Sequence, residues 1–153
     1  MNIAHDTTAI SAWPAELTAP ERTVIVVDDG LGPGHAANAA AVLAITLGAR
    51  LPQLPGADFA DADGGAPPGL FPAGLPVLRA RAQALRELRA RAAATDGVAI
   101  VALPQAGQQT TDYDEFRAVV GRTPANDLDL AGVLLCGPAR AVRGLTGSFG
   151  LLR

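Results

Sequence analysis

The chain contains no lysine, and all twelve of its basic residues are arginine. That one absence removes Schiff-base chemistry, a lysine general base and the lysine of a P-loop. Cysteine is nearly missing too, and Cys136 alone cannot close an internal disulfide. Two histidines, His5 and His35, are too few for a zinc-type ligand set, so no metal or other cofactor is expected. No apolar run is long enough to span a bilayer, and the start, MNIAHDTTAISAWP, lacks the basic and continuous apolar regions of a secretory leader. The expectation is a soluble, bacterial-style cytoplasmic protein with no membrane partner.

What is present fits one globular domain. A chain of 153 residues with 49% hydrophobic content buries roughly two thirds of its unfolded surface without staples. The net charge of −3 argues against a whole-surface affinity for nucleic acid, although a local arginine patch could hold a phosphate.

The organising stretch is Thr23 to Gly48, TVIVVDDGLGPGHAANAAAVLAITLG. Val24 to Val27 predict a strand covered on both faces, with Asp28 and Asp29 at its carboxyl end. The glycine-rich turn from Gly30 to Gly34 lets backbone amides approach a ligand. Pro33 suits the first turn of a helix, and the alanine-rich run up to Gly48 predicts a helix buried on most sides.

Residues before Arg22 read as an N-terminal arm, 1–21, ahead of a single α/β domain, 22–153. Trp13 either packs that arm onto the body or meets a partner subunit. Leu51 to Pro76 is broken by six prolines and predicts mostly loop, with a short strand near Phe59 to Ala62. Asp58, Asp61 and Asp63 lack the spacing of a calcium loop. Leu75 to Leu78 predicts a short strand leading into a helix over Arg81 to Ala94. Its stripe is Ala82, Leu85, Leu88 and Ala92, with Glu87 and Arg91 at i, i+4 spacing on the outside. The five arginines between Arg79 and Arg91 read as a solvated face, with phosphate binding the alternative.

Val98 to Leu103 predicts a second buried strand, running into a polar loop, Gln105 to Gln109. Thr111 or Asp112 caps a helix from Tyr113 to about Val120, whose Tyr113, Phe116 and Val120 share a face. Leu130 to Cys136 predicts a third strong strand, followed by a short helix over Ala139 to Leu145. The fold class expected is α/β, a single-domain mixed and mostly four-stranded sheet with helices on both faces.

Three separated segments resemble the archaeal and eukaryotic type of peptidyl-tRNA hydrolase. Its valine-rich strand leads through a D-L-x-M-G-K-G-K loop into a helix, where this chain reads Leu31-Gly32-Pro33-Gly34-His35-Ala36-Ala37-Asn38. Its Asp-Ala-Gly-Arg-Thr run corresponds to Gln105-Ala106-Gly107-Gln108-Gln109. Its closing strand, Gly-Pro, short helix and Thr-Gly correspond to Val133 to Pro138 and Leu145-Thr146-Gly147. From about Arg22 onward, VIVVD, AANAAAVL and LTGS resemble a family of small bacterial proteins, the domain of unknown function number two thousand. The resemblance implies a hydrolase-like fold. It does not carry the activity, because the lysines are absent and Gln105 replaces the aspartate, so tRNA binding is not expected either.

Other catalytic patterns are weak. Gly32-x-Gly34-x-x-Ala37 imitates a dinucleotide fingerprint, but Pro33 occupies the turn. Ser148 is in no nucleophile elbow, and a Cys136–His35 pair requires both at one end of the sheet. The candidate site is the polar set expected at the sheet's carboxyl edge: Asp28, Asp29, His35, Asn38, Gln105, Gln108, Gln109 and Thr146. These residues either bind a ligand or satisfy turns and caps. Three functions stay open: a protein of lapsed hydrolase chemistry that binds a small molecule or partner, an ester or amide hydrolase using His35 or an aspartate, and a structural homodimer.

Overall fold

The computed structural model describes residues 13–153. The first twelve residues of the expected arm therefore lie outside the described part. The elements run β1 (Arg22–Asp28), α1 (Pro33–Arg50), β2 (Val77–Ala80), α2 (Ala82–Ala93), β3 (Ala99–Pro104), α3 (Ala106–Gln109), α4 (Tyr113–Arg122), a 3-10 turn (Ala125–Asp127), β4 (Leu130–Gly137), α5 (Ala139–Thr146) and β5 (Gly150–Leu151).

The sheet is mixed, with strand order β3-β4-β1-β2-β5. Only β1 and β2 pair in parallel, while β4 runs antiparallel to both β1 and β3, and β5 antiparallel to β2. Strand alternation sends Val24, Val26, Val133 and Leu135 to one face, where α2 and α5 cover them. Ile25, Val27, Leu134 and Cys136 point to the other face, against α1. With a helical layer on each side, the inner strands must be apolar throughout, and all eight residues of β4 are buried. Close packing of α1 requires Gly132: a Cβ there would stand 3.0 Å from the Val26 carbonyl and 3.2 Å from Leu43 Cδ1.

Several expectations need correction. The sheet has five strands where four were expected, because Gly150–Leu151 adds to β2 opposite Arg79 and Leu78. No strand forms at Phe59 to Ala62; the Asp61 carboxylate instead accepts from the amides of Asp63 and Gly65 and closes a turn. α1 passes through Gly48 and stops after Arg50, since Leu51 precedes Pro52 and is pushed out of the helical region. Nor is α1 buried on most sides: Ala36, Ala39, Leu43 and Leu47 face the core, whereas Ile45 is 72% exposed. β3 is an edge strand, so Ile100 and Val101 are only half-buried and Ala102 is exposed. Gln105 to Gln109 forms a helical turn rather than a loop. Glu87 accepts from Gln83 and forms no ion pair with Arg91.

Residues 13–21, just before β1, lie against the body. Trp13 and Leu17 pack on the α1-side core, and Glu21 Oε2 accepts from the Ala139 amide at 2.9 Å, capping α5. α4 behaves differently: Asp112 caps it by accepting from the amides of Asp114 and Glu115, yet none of its residues is buried. Tyr113 is 72% exposed, and its ring lies 5.6 Å from that of Phe116.

Candidate functional site

Because β4 is antiparallel to both of its neighbours, β1 and β3 run the same way and open on one edge of the sheet. They are not adjacent: the start of β4 separates them. Two side-chain amides bridge that gap. Asp28, 8% exposed, ends β1; its Oδ1 accepts from the Gly30 amide at 3.0 Å and its Oδ2 from Gln105 Nε2 at 3.1 Å. Gln105 reaches Asp28 because its backbone is already helical (φ −57°, ψ −31°) and its amide is fixed on the Asp129 carbonyl at 2.8 Å.

One turn later Gln108 Nε2 donates to the His35 carbonyl at 2.8 Å and to Asn38 Oδ1 at 3.1 Å. That ties α3 to the first turns of α1, whose N-terminus, capped by Gly32 with no side-chain bond, leaves amides of its first turn open to a ligand. The imidazole of His35 is exposed, and only its backbone carbonyl takes part in this network. The structure thus brings together Asp28, His35, Asn38, Gln105 and Gln108.

The remaining expected residues lie apart. Asp29 is exposed, and its amide donates to the Ala80 carbonyl at 2.9 Å, holding β1 to β2. Gln109 is exposed and turns toward a cavity of about 160 Å³ between α3 and the end of α4, near Val119 and Leu128. Thr146 is excluded from the site: it is buried at the end of α5, in the other helical layer, and its hydroxyl donates to the Val142 carbonyl at 2.7 Å. A side chain that bonds its own helix backbone has no hydrogen left for a ligand.

Cys136 pairs with Thr23 and Ala99 at the opposite end of the sheet, far from the turn that carries His35, so no Cys136–His35 pair forms. Burial pushes its thiol from 9.0 up to about 12, which keeps it protonated and inert at neutral pH. Among the described residues no group of three or more His, Cys, Asp or Glu is arranged to hold a metal.

Sequence reasoning missed the apolar neighbour of this site. A cavity of about 190 Å³ opens between Val42 of α1, Leu103 of β3, Gly107 of α3, and Tyr113 and Phe116 of α4. The signal was the aromatic pair at i, i+3 on a helix with no stripe to match it elsewhere. Chemically, the edge offers one carboxylate, side-chain amides, an exposed imidazole and a helix N-terminus. Among the described residues no cationic side chain pairs with Asp28, whose two oxygens meet neutral donors. Such a set orients a ligand by hydrogen bonds and contains no positioned base beyond the carboxylate itself.

Fold comparison agrees with this description. A protein of unknown function from Agrobacterium tumefaciens strain C58 superposes with a TM-score of 0.80 at 18% identity, over 86% of this chain and 97% of that one. No curated protein matches the sequence significantly. The family model described as protein of unknown function (DUF2000) matches residues 21–153, from just before β1 to the C-terminus, and the chain belongs to that family.

Proposed function

We propose that this protein binds a small amide-bearing ligand at the carboxyl edge of the sheet, on the frame of the archaeal and eukaryotic type of peptidyl-tRNA hydrolase but without that activity. The observation that carries the proposal is the Asp28–Gln105 contact: a nearly buried carboxylate held by neutral donors from the ends of two non-adjacent strands. Each Asp28 oxygen accepts one hydrogen bond from the protein and keeps lone-pair capacity for a further donor. A ligand N–H supplies that donor. The carbonyl of the same ligand group fits the open amides at the start of α1. Turnover is not expected, because no lysine is present and Gln105 cannot take a proton.

The test has two arms. Native mass spectrometry on freshly purified protein identifies a retained small molecule, and its affinity is then measured for His35→Ala, Asn38→Ala and Gln105→Ala with thermal melts alongside. Loss of affinity in folded variants supports the site; unchanged affinity in all three places the site elsewhere. Peptidyl-tRNA turnover at roughly one per second or faster refutes the loss of activity. A second reading, the structural homodimer, is favoured by the edge of β3, where Val98 to Leu103 carries no charge and no proline. Sedimentation of Val101→Lys against wild type decides that point.

A further inference from the structure

Residues 79–93 and 139–146 hold seven of the chain's twelve arginines and one acid, Glu87, a charge of +6. The other five arginines stand against fourteen acids, −9, which gives the net −3. Apart from Arg79, which alternation in β2 sends to the α1 face with Val77, the folded chain gathers this basic portion into one layer, since α2 and α5 pack on the same face through Leu85, Leu88, Val142 and Leu145. Where their outer surfaces meet, an open groove of about 610 Å³ has Arg91, Arg140 and Thr95 as its polar lining and Pro138, Ala141 and Leu145 as its apolar lining.

We propose that this groove is an anion site for a phosphate monoester carried on a small apolar body, gripped by Arg91 and Arg140. Arg91 and Arg140 line one groove from different helices, and neither has an ion-pair partner among the described residues. Two like charges facing a shared space are stabilised by an anion between them, and the guanidinium fork matches phosphate oxygens two at a time. Of the nearby carboxylates, Glu21 is held on the Ala139 amide and lines a separate cavity that shares Pro138 with the groove, Glu87 accepts from Gln83, and Asp96, which follows Thr95, is not among the groove's lining residues.

The rest of the arginine layer decides what kind of anion fits. A long polyanion needs a continuous basic track, and the track is interrupted: Arg86 is paired with Asp129 at 2.9 Å and Arg89 donates to the Ala125 carbonyl at 2.8 Å. Arg81, at the other end of α2, is thereby cut off from Arg91 and Arg140, and Arg79 lies on the other face of the sheet. Arg143 of α5 does not line the groove, and what remains there is one compact grip. The volume falls within the roughly 300–1,000 Å³ common for small-ligand sites, and the apolar lining matches a hydrocarbon body rather than a second phosphate. Gly144 also lines the groove, and a Cβ there would meet nothing within 4 Å, so a larger side chain at this position has room to stand in that space.

The experiment is calorimetric titration of the full chain with phenyl phosphate, inorganic phosphate and a single-stranded RNA oligonucleotide at low ionic strength. Phenyl phosphate is expected to bind more tightly than inorganic phosphate. Arg91→Ala and Arg140→Ala are each expected to weaken it about tenfold or more, the scale of a lost charge-assisted hydrogen bond. Gly144→Phe, which fills the groove without removing charge, is expected to abolish binding, whereas Arg79→Ala and His35→Ala leave it unchanged; melting curves confirm that each variant is folded. The proposal is overturned if wild type shows no heat with either phosphate at millimolar concentration, or if Arg91→Ala and Arg140→Ala bind as wild type does. It is equally overturned if the RNA binds more tightly than phenyl phosphate and loses affinity on Arg81→Ala, since that requires a continuous track.

Discussion

The two helical layers of this protein are attached to the sheet by different physics. α2 and α5 each press a buried stripe on it, Leu85, Leu88 and Ala92 from one and Val142 and Leu145 from the other, and turn arginines outward. On the opposite face only α1 does the same; α3 and α4 bury no residue, and α3 is held by the amides of Gln105 and Gln108. One layer is fixed by removal of apolar area from water, and half of the other by a few hydrogen bonds worth about 1 kcal/mol each. Elements of low local stability are the ones that can move around a ligand, so the α3–α4 corner is where a site can open and close.

The largest effect that would break this contrast comes from core truncation. Leu85→Ala under α2 and Leu43→Ala under α1 are each expected to cost about 2–5 kcal/mol in urea denaturation, because both side chains are completely buried. Phe116→Ala on α4 is expected to cost at most about 1 kcal/mol, since the ring is only partly covered. A Phe116→Ala loss as large as that of Leu43→Ala would show that α4 is part of the core and end the distinction.

A second effect is confined to the α1 face. Cys136 there is raised from 9.0 to about 12 in the folded chain. Above pH 9 the unfolded chain has released the thiol proton while the folded one keeps it, so ionisation favours unfolding. The thiol contribution is thus complete below pH 9 and declines as pH rises toward 12, at up to roughly 1.4 kcal/mol per pH unit. Urea midpoints between pH 8 and 10.5 should fall more steeply for wild type than for Cys136→Ala. Parallel curves for the two proteins would mean that the thiol is hydrated when folded.

The third effect is smaller and local. Gln105→Ala removes one donor from the Asp28 carboxylate and should cost about 1–2 kcal/mol. Its signature is faster amide exchange in α3 with α2 and α5 unchanged. Uniform acceleration across both layers would mean that the Gln105 bridge supports the whole fold.

How much of this could be read from the sequence follows the same divide. β1, β4, α1 and α2 were legible because apolar residues recur at the spacing of the element, and the Leu85, Leu88, Ala92 stripe is buried as its period requires. α1 misled because alanine fits both a buried and an exposed helix surface, so the run from Ala36 to Leu47 gave no sign that Val42 and Ile45 face outward. β5 escaped because two residues after a glycine have no period, and α3 because a single turn of Ala-Gly-Gln-Gln has no apolar stripe at all. In the candidate site, Asp28, Asn38, Gln105 and Gln108 could be guessed to meet because strand ends of the same direction open on one edge. Thr146 could not be excluded from sequence: its removal depends on which face of the sheet α5 takes, a matter of topology rather than of local pattern.

The smallest expected effect concerns the residue at which the two layers touch. Asp129 precedes β4 and serves both sides: its carboxylate is 2.9 Å from Arg86 of α2, and its carbonyl accepts from the Gln105 amide at 2.8 Å. The ion pair is solvent-accessible, with side chains 36% and 63% exposed, so most of its Coulomb energy is screened. Arg86→Ala should therefore cost only about 0.2–1 kcal/mol, with a coupling to Asp129→Ala of the same size in a double-mutant cycle. The cost should vanish near 1 M salt, where the screening length is about 3 Å. The backbone bond from Gln105 does not depend on Arg86, so the side-chain amide resonances of Gln105 should stay where they are. A cost above about 2 kcal/mol that persists in salt, together with a shifted Gln105 amide, would show that Asp129 transmits force between the arginine layer and the Asp28 edge. In that case an anion bound by α2 and α5 would be felt at Asp28, and the two layers would form one coupled unit.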